Sequence, residues 1–160
     1  MTYKISTSDI VDQNRNIVSA NDVNAASMSG AVLADSTAFR NNTAGKVLTT
    51  NTVWDSATPG SGTNVSGNVT VSMSDTFNFK FILTGSINLD NPTNTKPGQT
   101  GIIQLVQNNA SSYTVTFSGN WKFSGGTVPT ISTTWGASDF ISYFCVNSTF
   151  TIANLIKDVK

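Results

Sequence analysis

The residues that usually carry acid–base or metal chemistry are scarce in this chain. It contains no His and no Glu, so Asp supplies all of its acidic side chains. Without His, it lacks the commonest general base and the commonest metal ligand. Its one cysteine, Cys145, lies in the apolar run Phe140–Val146, which predicts a small buried hydrophobe rather than a reactive thiol. We therefore expect no catalytic residue, no metal site and no cofactor.

Paired carboxylates and a phosphate loop are the remaining catalytic candidates. Glycoside hydrolysis needs two carboxyl groups set close together, but Asp75, Asp90 and Asp139 are scattered near predicted strand ends and loops, where Asp usually forms turns. The fragment Ala44-Gly45-Lys46 lacks the preceding Gly and the following Ser or Thr of a phosphate loop. A hydrolase that acts through pairs of Asp residues therefore remains a hypothesis, and it is the weakest of the three that the sequence leaves open.

Three tryptophans are the strongest candidates for a binding surface. Trp54, Trp121 and Trp135 could stack on the rings of a host glycan, and polar residues flank Trp121. Aromatic side chains are more often core or subunit-contact residues, because they bury large apolar areas. Both interpretations of the tryptophans, subunit contact and glycan stacking, remain open from the sequence.

Composition excludes several classes of partner. Nine basic residues balance nine acidic ones, so the formal net charge is zero and there is no basic patch for nucleic acid or anionic lipid. Only 11% of residues are charged, whereas Ser, Thr and Asn supply 61 of 160. No run approaches the ~18 apolar residues of a membrane span, and the first residues lack a secretory core. We expect a soluble protein made in a cytoplasm, with neither nucleic acid nor membrane as its partner.

From residue 64 onward, apolar and polar residues alternate with a period of two, which predicts half-buried β-strands. The inward-facing sets are Val69, Val71 and Met73; Phe77, Phe79, Phe81 and Leu83; Tyr113, Val115 and Phe117; and Ile141, Tyr143 and Cys145. Further strands are expected at 101–107, 121–123, 128–133 and 149–156. About eight short strands separated by Pro, Gly and Asn turns predict an all-β fold, an antiparallel jelly-roll-like β-sandwich over residues 61–160.

Two of the predicted strands constrain the arrangement further. Segment 139–147 is apolar on both faces, so it should be central, and neighbouring subunits could bury its second face. Segment 77–83 is long, apolar and β-prone, and it would promote aggregation at an exposed edge. It should therefore be internal or covered by a neighbouring subunit.

Residues 1–60 differ from the rest and predict an extended N-terminal attachment arm. Their apolar residues form short clusters between polar stretches, and none is large enough to bury itself. The candidate anchoring residues are Ile10, Val11, Ile17, Val18 and Val23. Residues 45–54 predict a short hairpin, and the Pro-Gly-Ser-Gly run at 59–62 predicts a linker.

Two stretches resemble a module common in virion proteins of tailed bacteriophages, often tail fibres. One has the turn Lys96-Pro97-Gly98 followed by the strand 101–107. The other runs from Trp121 through Gly125-Gly126 to Pro129, before a closing aromatic strand. Residues 45–54 are similar to a short hairpin that precedes such modules. The resemblance covers most of residues 43–157 and carries no catalytic residue.

The resemblance implies a structural protein of the phage virion, built as a homotrimer. It implies that the arm anchors the trimer to a major capsid or tail protein. Because the arm is short and the chain ends soon after the last predicted strand, we favour capsid decoration or a head fibre narrowly over a short tail fibre or tail adaptor. The alternative is a fibre-tip module that binds a host receptor or surface glycan.

Overall fold

The computed structural model describes residues 34–41, 43–44, 46, 48–60, 62–108 and 112–160. Two helices precede seven strands, and a short 3₁₀ turn follows the fifth strand. The elements are α1 (Ser36–Arg40), α2 (Thr50–Ala57), β1 (Thr63–Val69), β2 (Asn78–Leu89), β3 (Thr100–Gln107), β4 (Val115–Phe117), β5 (Trp121–Lys122), the 3₁₀ turn Ser124–Gly126, β6 (Ser138–Asn147) and β7 (Phe150–Ile156). The prediction of a largely β protein is confirmed.

The seven strands form one mixed sheet rather than the two antiparallel sheets of a sandwich. Their order is β1-β2-β3-β6-β7-β5, and β4 lies beside the second half of β2. Strands β1, β3 and β4 run parallel to β2, and β5 runs parallel to β7; the pairs β3–β6 and β6–β7 are antiparallel. Alternation has the same period in parallel and antiparallel strands, so it predicts the strands without predicting their direction.

The connections on either side of β2 explain the parallel pairing. Residues 70–77 and 90–99 each cross beneath the sheet instead of turning back as a hairpin. They also pair with each other, since the Met73 amide donates to the Thr93 carbonyl and the Thr93 amide to the Val71 carbonyl, both at 2.9 Å. Val71 and Met73 are almost fully buried there.

The sheet curls around its core because β4 and β5, which are close in sequence, pair with strands that are far apart in the sheet. Strand β4 pairs with β2, whereas β5 pairs with β7 and forms the edge beyond it. Only residues 118–120 join them, and the Trp121 amide closes this turn on the Ser118 carbonyl at 3.1 Å. The inward side chains therefore form a single cluster: Val65, Val71, Met73, Phe81, Leu83, Ile87, Leu89, Ile103, Leu105, Val115, Trp121, Ile131, Ile141, Tyr143, Cys145 and Ala153.

Both strands with special sequence patterns lie inside the sheet, as predicted. Strand β2 lies between β1 and β3, and β6 lies between β3 and β7. Residues 128–133 form no strand, although Ile131 is buried against the core.

The predicted hairpin at 45–54 is wrong, because residues 50–57 form helix α2. The Thr49 side chain caps this helix by accepting a hydrogen bond from the Thr52 amide at 3.3 Å, which stabilises the first turn of a helix. The Thr52 and Ser56 hydroxyls then donate to the Ala34 and Ser36 carbonyls at 2.8 and 3.2 Å, which joins α2 to α1. Residues 34–41 and 48–58 are thus part of the folded body rather than of an extended arm.

Helix α1 is held on the sheet by one ring contact and one charged side chain. Phe39 meets Phe77 edge to face, with ring centroids 5.7 Å apart. The Arg40 side chain is buried, and its Nε donates to the Ser74 carbonyl at 2.6 Å. The two helices therefore dock where β2 and β3 begin.

Candidate assembly surface

The outward side of three neighbouring strands is unusual for a solvent-facing sheet. Exposed faces of antiparallel strands are normally polar, but no outward position of β3, β6 or β7 holds a charged residue. These positions are Thr100, Ile102, Gln104 and Val106 on β3; Ser138, Phe140, Ser142, Phe144 and Val146 on β6; and Phe150, Ile152, Asn154 and Ile156 on β7.

The register of the strands gathers the large apolar side chains of this side. Phe144 lies opposite Ile152, and Phe140 lies opposite Ile156. Ile102 on β3 lies opposite Ser142, between these two rows. We call these five apolar residues the outer face; Ile102, Phe144, Ile152 and Ile156 are 44, 45, 48 and 51% exposed.

Three polar side chains around the outer face, those of Asn78, Gln104 and Ser138, already have partners within the chain. The Gln104 amide donates to the Ser138 hydroxyl at 2.8 Å. Asn78 donates to the Ala57 carbonyl at 2.5 Å and accepts from the Ile102 amide at 2.9 Å, which ties β3 to the end of α2. Burying these groups would leave them hydrogen-bonded, so covering the outer face carries little desolvation cost from them.

Shallow hollows and two lysines shape the margins of the outer face. A hollow of about 240 Å³ lies between Pro59, Phe79, Ile102 and Phe140, and one of about 250 Å³ adjoins Phe144 and Ile152. Lys80 on β2 and Lys122 on β5 belong to the flanking strands. The Lys122 ammonium lies 5.8 Å from the centroid of the Phe150 ring, within range of a cation–π contact.

The structure separates the three tryptophans considered for binding. Trp54 on α2 and Trp135 in the loop before β6 are 73 and 70% exposed. Trp121 is only 4% exposed, its indole N–H donates to the Asp90 carbonyl at 2.8 Å, and its ring packs against Tyr143. The Trp121 ring is therefore used in the core and is not presented to a sugar or a second subunit.

The three carboxylates considered for catalysis lie apart, and two hold the backbone or neighbouring polar groups. Asp139 is 2% exposed and accepts from the Ser132 and Asp158 amides at 2.6 and 2.7 Å. Asp90 accepts from the Asn88 amide group at 2.5 Å, and Asp75 lies exposed in a turn. Within the described ranges, no group of three or more Asp, Glu, His or Cys side chains could hold a metal ion.

Cys145 and Tyr143 both lie on the inner side of β6, where burial keeps their thiol and hydroxyl groups protonated and unreactive. Cys145 is fully buried, as predicted, and burial raises the pKa of its thiol, which keeps it in the unreactive protonated form. Burial also raises the pKa of Tyr143 far above its usual value. The Tyr143 hydroxyl donates to the Phe77 carbonyl at 2.6 Å and so closes the curl of the sheet.

The sequence analysis named none of the five residues of the outer face as a site residue, although the sequence contains a pattern that indicates this surface. Segment 139–147 is apolar at both odd and even positions, and so is much of 149–156. A sheet that encloses a core on one side buries only the odd-numbered or only the even-numbered apolar residues, so the other set stays exposed. The proposed anchoring residues Ile10, Val11, Ile17, Val18 and Val23 lie outside the described residues.

Comparison with known proteins adds no relative to this description. No protein-family model, curated protein or solved structure matches the chain. Among the described residues, no helix is both long and apolar enough to cross a membrane. A function must therefore be argued from the surfaces of the molecule.

Proposed function

We propose that this chain is a non-enzymatic structural protein of a bacteriophage virion, a homotrimer on the particle surface. The observation that carries the proposal is the uncharged, apolar outer face on β3, β6 and β7. Exposed apolar patches of this kind are typical of surfaces that contact another protein. A protein whose main surface feature is an unfilled contact surface works by assembly.

The polar chemistry of the described residues supports a structural role. The carboxylates of Asp35, Asp90 and Asp139 bind a helix N-terminus, a neighbouring amide and two backbone amides respectively. The one cysteine is buried, with its thiol pKa raised. These side chains stabilise loops and strand ends, which suits a particle component that must persist without disulfides.

The segments that resemble phage fibre modules supply strands β3 and β5 and the turns beside them. Gly98 has a φ of 89°, and its amide donates to the Cys145 carbonyl at 2.8 Å, which fixes the turn before β3. Gly125 and Gly126 have φ angles of 66° and 71°, a conformation that favours glycine. The residues on which the resemblance rests therefore shape strands and turns, which supports a structural role.

In this proposal, the segment before α1 is the attachment arm, and it binds a major capsid or tail protein. Ala34, the first residue that the structure describes, is 6% exposed, and its carbonyl accepts a hydrogen bond from the Thr52 hydroxyl of α2 at 2.8 Å. The apolar clusters from Ile10 to Val23 would be the anchoring residues. In this proposal, capsid decoration or a head fibre is narrowly favoured over a short tail fibre or tail adaptor.

Two measurements test the proposal. Light scattering of the purified chain should give three times the chain mass of 16.9 kDa. Immunogold labelling of purified particles, with an antibody against the chain, should decorate the capsid or the tail at regular positions. A chain that stays monomeric at high concentration contradicts the trimer, and unlabelled particles contradict the virion role.

A second candidate function is binding of a host receptor or surface glycan. The observation that favours it is the exposure of the Trp54 and Trp135 rings, which are 73 and 70% accessible. Indole rings can supply a large apolar contact area with one polar edge. A glycan array probed with the native chain and with Trp135→Ala would test this function; no binding by the native chain at saturation removes it.

A further inference from the structure

We infer that the outer face is the surface through which three copies of this chain meet around a threefold axis. The inference rests on the proposed function, because it names the contact that the homotrimer would use. The face lies on the convex side of the sheet, opposite the enclosed core. In the described part of the chain, no element covers it.

The exposed apolar area is of the size that protein interfaces need. Ile102, Phe144, Val146, Phe150, Ile152 and Ile156 are each 40 to 51% exposed. Large apolar side chains present roughly 150–250 Å² when free, so these six contribute about 500 Å². This value lies near the top of the range for the largest apolar patch on a monomer, ~300–600 Å². With the half-buried and polar neighbours the whole face approaches ~800 Å², the area that one partner buries in a standard interface, and in a trimer this area is shared between two neighbouring copies.

Charge favours a second copy over the chain's own first residues as the occupant. The outward positions of β3, β6 and β7 hold no charge, so identical copies bring no repulsion to the axis. By contrast, Asp9 and Asp12 bracket Ile10 and Val11 in the sequence. Laying that segment across the middle of the face would bury carboxylates on strands that carry no cation, because Lys80 and Lys122 lie on the flanking strands β2 and β5, and such burial is costly.

The first test replaces Phe144, which is 45% exposed, with lysine. Light scattering should show a threefold loss of mass for Phe144→Lys, with an unchanged circular dichroism spectrum. Val128→Lys is the matched control, since Val128 is 52% exposed but lies in the connection between β5 and β6. It should keep the native mass.

The second test uses a milder change in case Phe144→Lys does not fold. Asn154 is an exposed polar position of β7, paired with Ser142 across the outer face. Asn154→Cys should form covalent dimers with a short bis-maleimide, whereas Val128→Cys and the native chain, with its buried Cys145, should not.

The outcomes separate the inference from the proposed function. A trimer whose mass survives Phe144→Lys, and in which Asn154→Cys does not cross-link, overturns the outer face as the contact but leaves the trimer intact. A monomeric native chain overturns both. A monomer in which Asn154→Cys resists maleimide labelling until residues 1–33 are removed identifies that segment as the occupant instead, and also overturns the inference.

Discussion

The two sides of strand β6 have similar apolar content and opposite environments. On the inner side, Ile141, Tyr143 and Cys145 are at most 3% exposed. On the outer side, Phe144 and Val146 are 45 and 40% exposed. The strand is equally β-prone on both sides, so local preference does not distinguish them; the curl of the sheet does.

The comparison shows that a single curled sheet buries only one of its two apolar faces. Its concave side is filled by its own crossover segments, by Trp121 and by the connection that carries Ile131. Its convex side has no second layer among the described residues, although domains are normally built from at least two packed layers. An apolar convex side is then retained for a contact outside the chain, and substitutions on the two sides should behave differently.

The largest contrast is expected between two isoleucines on adjacent strands, Ile141 and Ile152. Ile141 is fully buried, so Ile141→Ala should lower the free energy of unfolding by about 2–5 kcal/mol through the cavity it leaves. Ile152 is 48% exposed, so Ile152→Ala should cost less than about 1 kcal/mol within the subunit. Urea unfolding in a Phe144→Lys background measures both without the contribution of assembly. Equal losses would contradict the distinction between the sides.

A glycine on the inner side gives the next largest effect. A Cβ added at Gly101 would lie 1.8 Å from the Phe77 carbonyl oxygen and 2.8 Å from the Tyr143 hydroxyl. Gly101→Ala must therefore push β2 and β6 away from β3, at a cost of about 3 kcal/mol or more, the upper end for overpacking, because the nearest atom belongs to the backbone. Gly119→Ala is the control, because a Cβ there meets nothing within 4 Å. Urea midpoints should fall for the first variant only.

The buried carboxylate at the start of β6 tests the polar part of the inner side. Asp139 accepts two backbone amides, whereas an asparagine offers one oxygen and adds an NH₂ group. Asp139→Asn should cost about 1.5–3 kcal/mol, the range for hydrogen bonds to charged groups. Asp75→Asn, at an exposed turn, should stay within about 0.5 kcal/mol. Similar unfolding curves for the two variants would show that the Asp139 contacts contribute little.

Period-two alternation predicted the enclosed side of the molecule well. It placed Phe81, Leu83, Ile141, Tyr143 and Cys145 inward, and all five are buried. The inside positions of 77–83 and 139–147 were predicted instead from their continuous apolar content. The inward residues follow from one physical rule, that alternate side chains of a strand point to the same side.

The same rule could not predict helix α2, the direction of the strands or the use of Trp121. Helix α2 depends on the cap at Thr49 and on hydrogen bonds to residues 34 and 36, which are distant in sequence. Strand direction depends on whether 70–77 and 90–99 turn back or cross the core. Trp121 is buried because β5 joins β7, a contact about 30 residues along the chain. Each is a long-range event that local pattern does not encode.

The smallest expected effect concerns the hydroxyl of Tyr143, the one inner side chain of β6 with a titratable ring. Burial raises its pKa in the folded chain well above the ordinary value of 10.0. Above pH ~10 the unfolded chain loses this proton and the folded chain keeps it, so the folded state binds more protons there. Stability from this group is therefore fully present below pH ~10 and falls as the pH rises toward the folded pKa.

Tyr143→Phe should remove that part of the alkaline decline while costing about 0.5–1.5 kcal/mol at neutral pH, because the bond to the Phe77 carbonyl is lost. Urea unfolding of both chains between pH 8 and pH 11 measures the difference. Tyrosinate absorbance should show one fewer titrating ring in the folded native chain than in urea. If the free energy of unfolding changed with pH in the same way for both chains, Tyr143 would ionise in the folded state without unfolding the inner side. Water would then reach the enclosed side of the sheet more readily than its packing indicates.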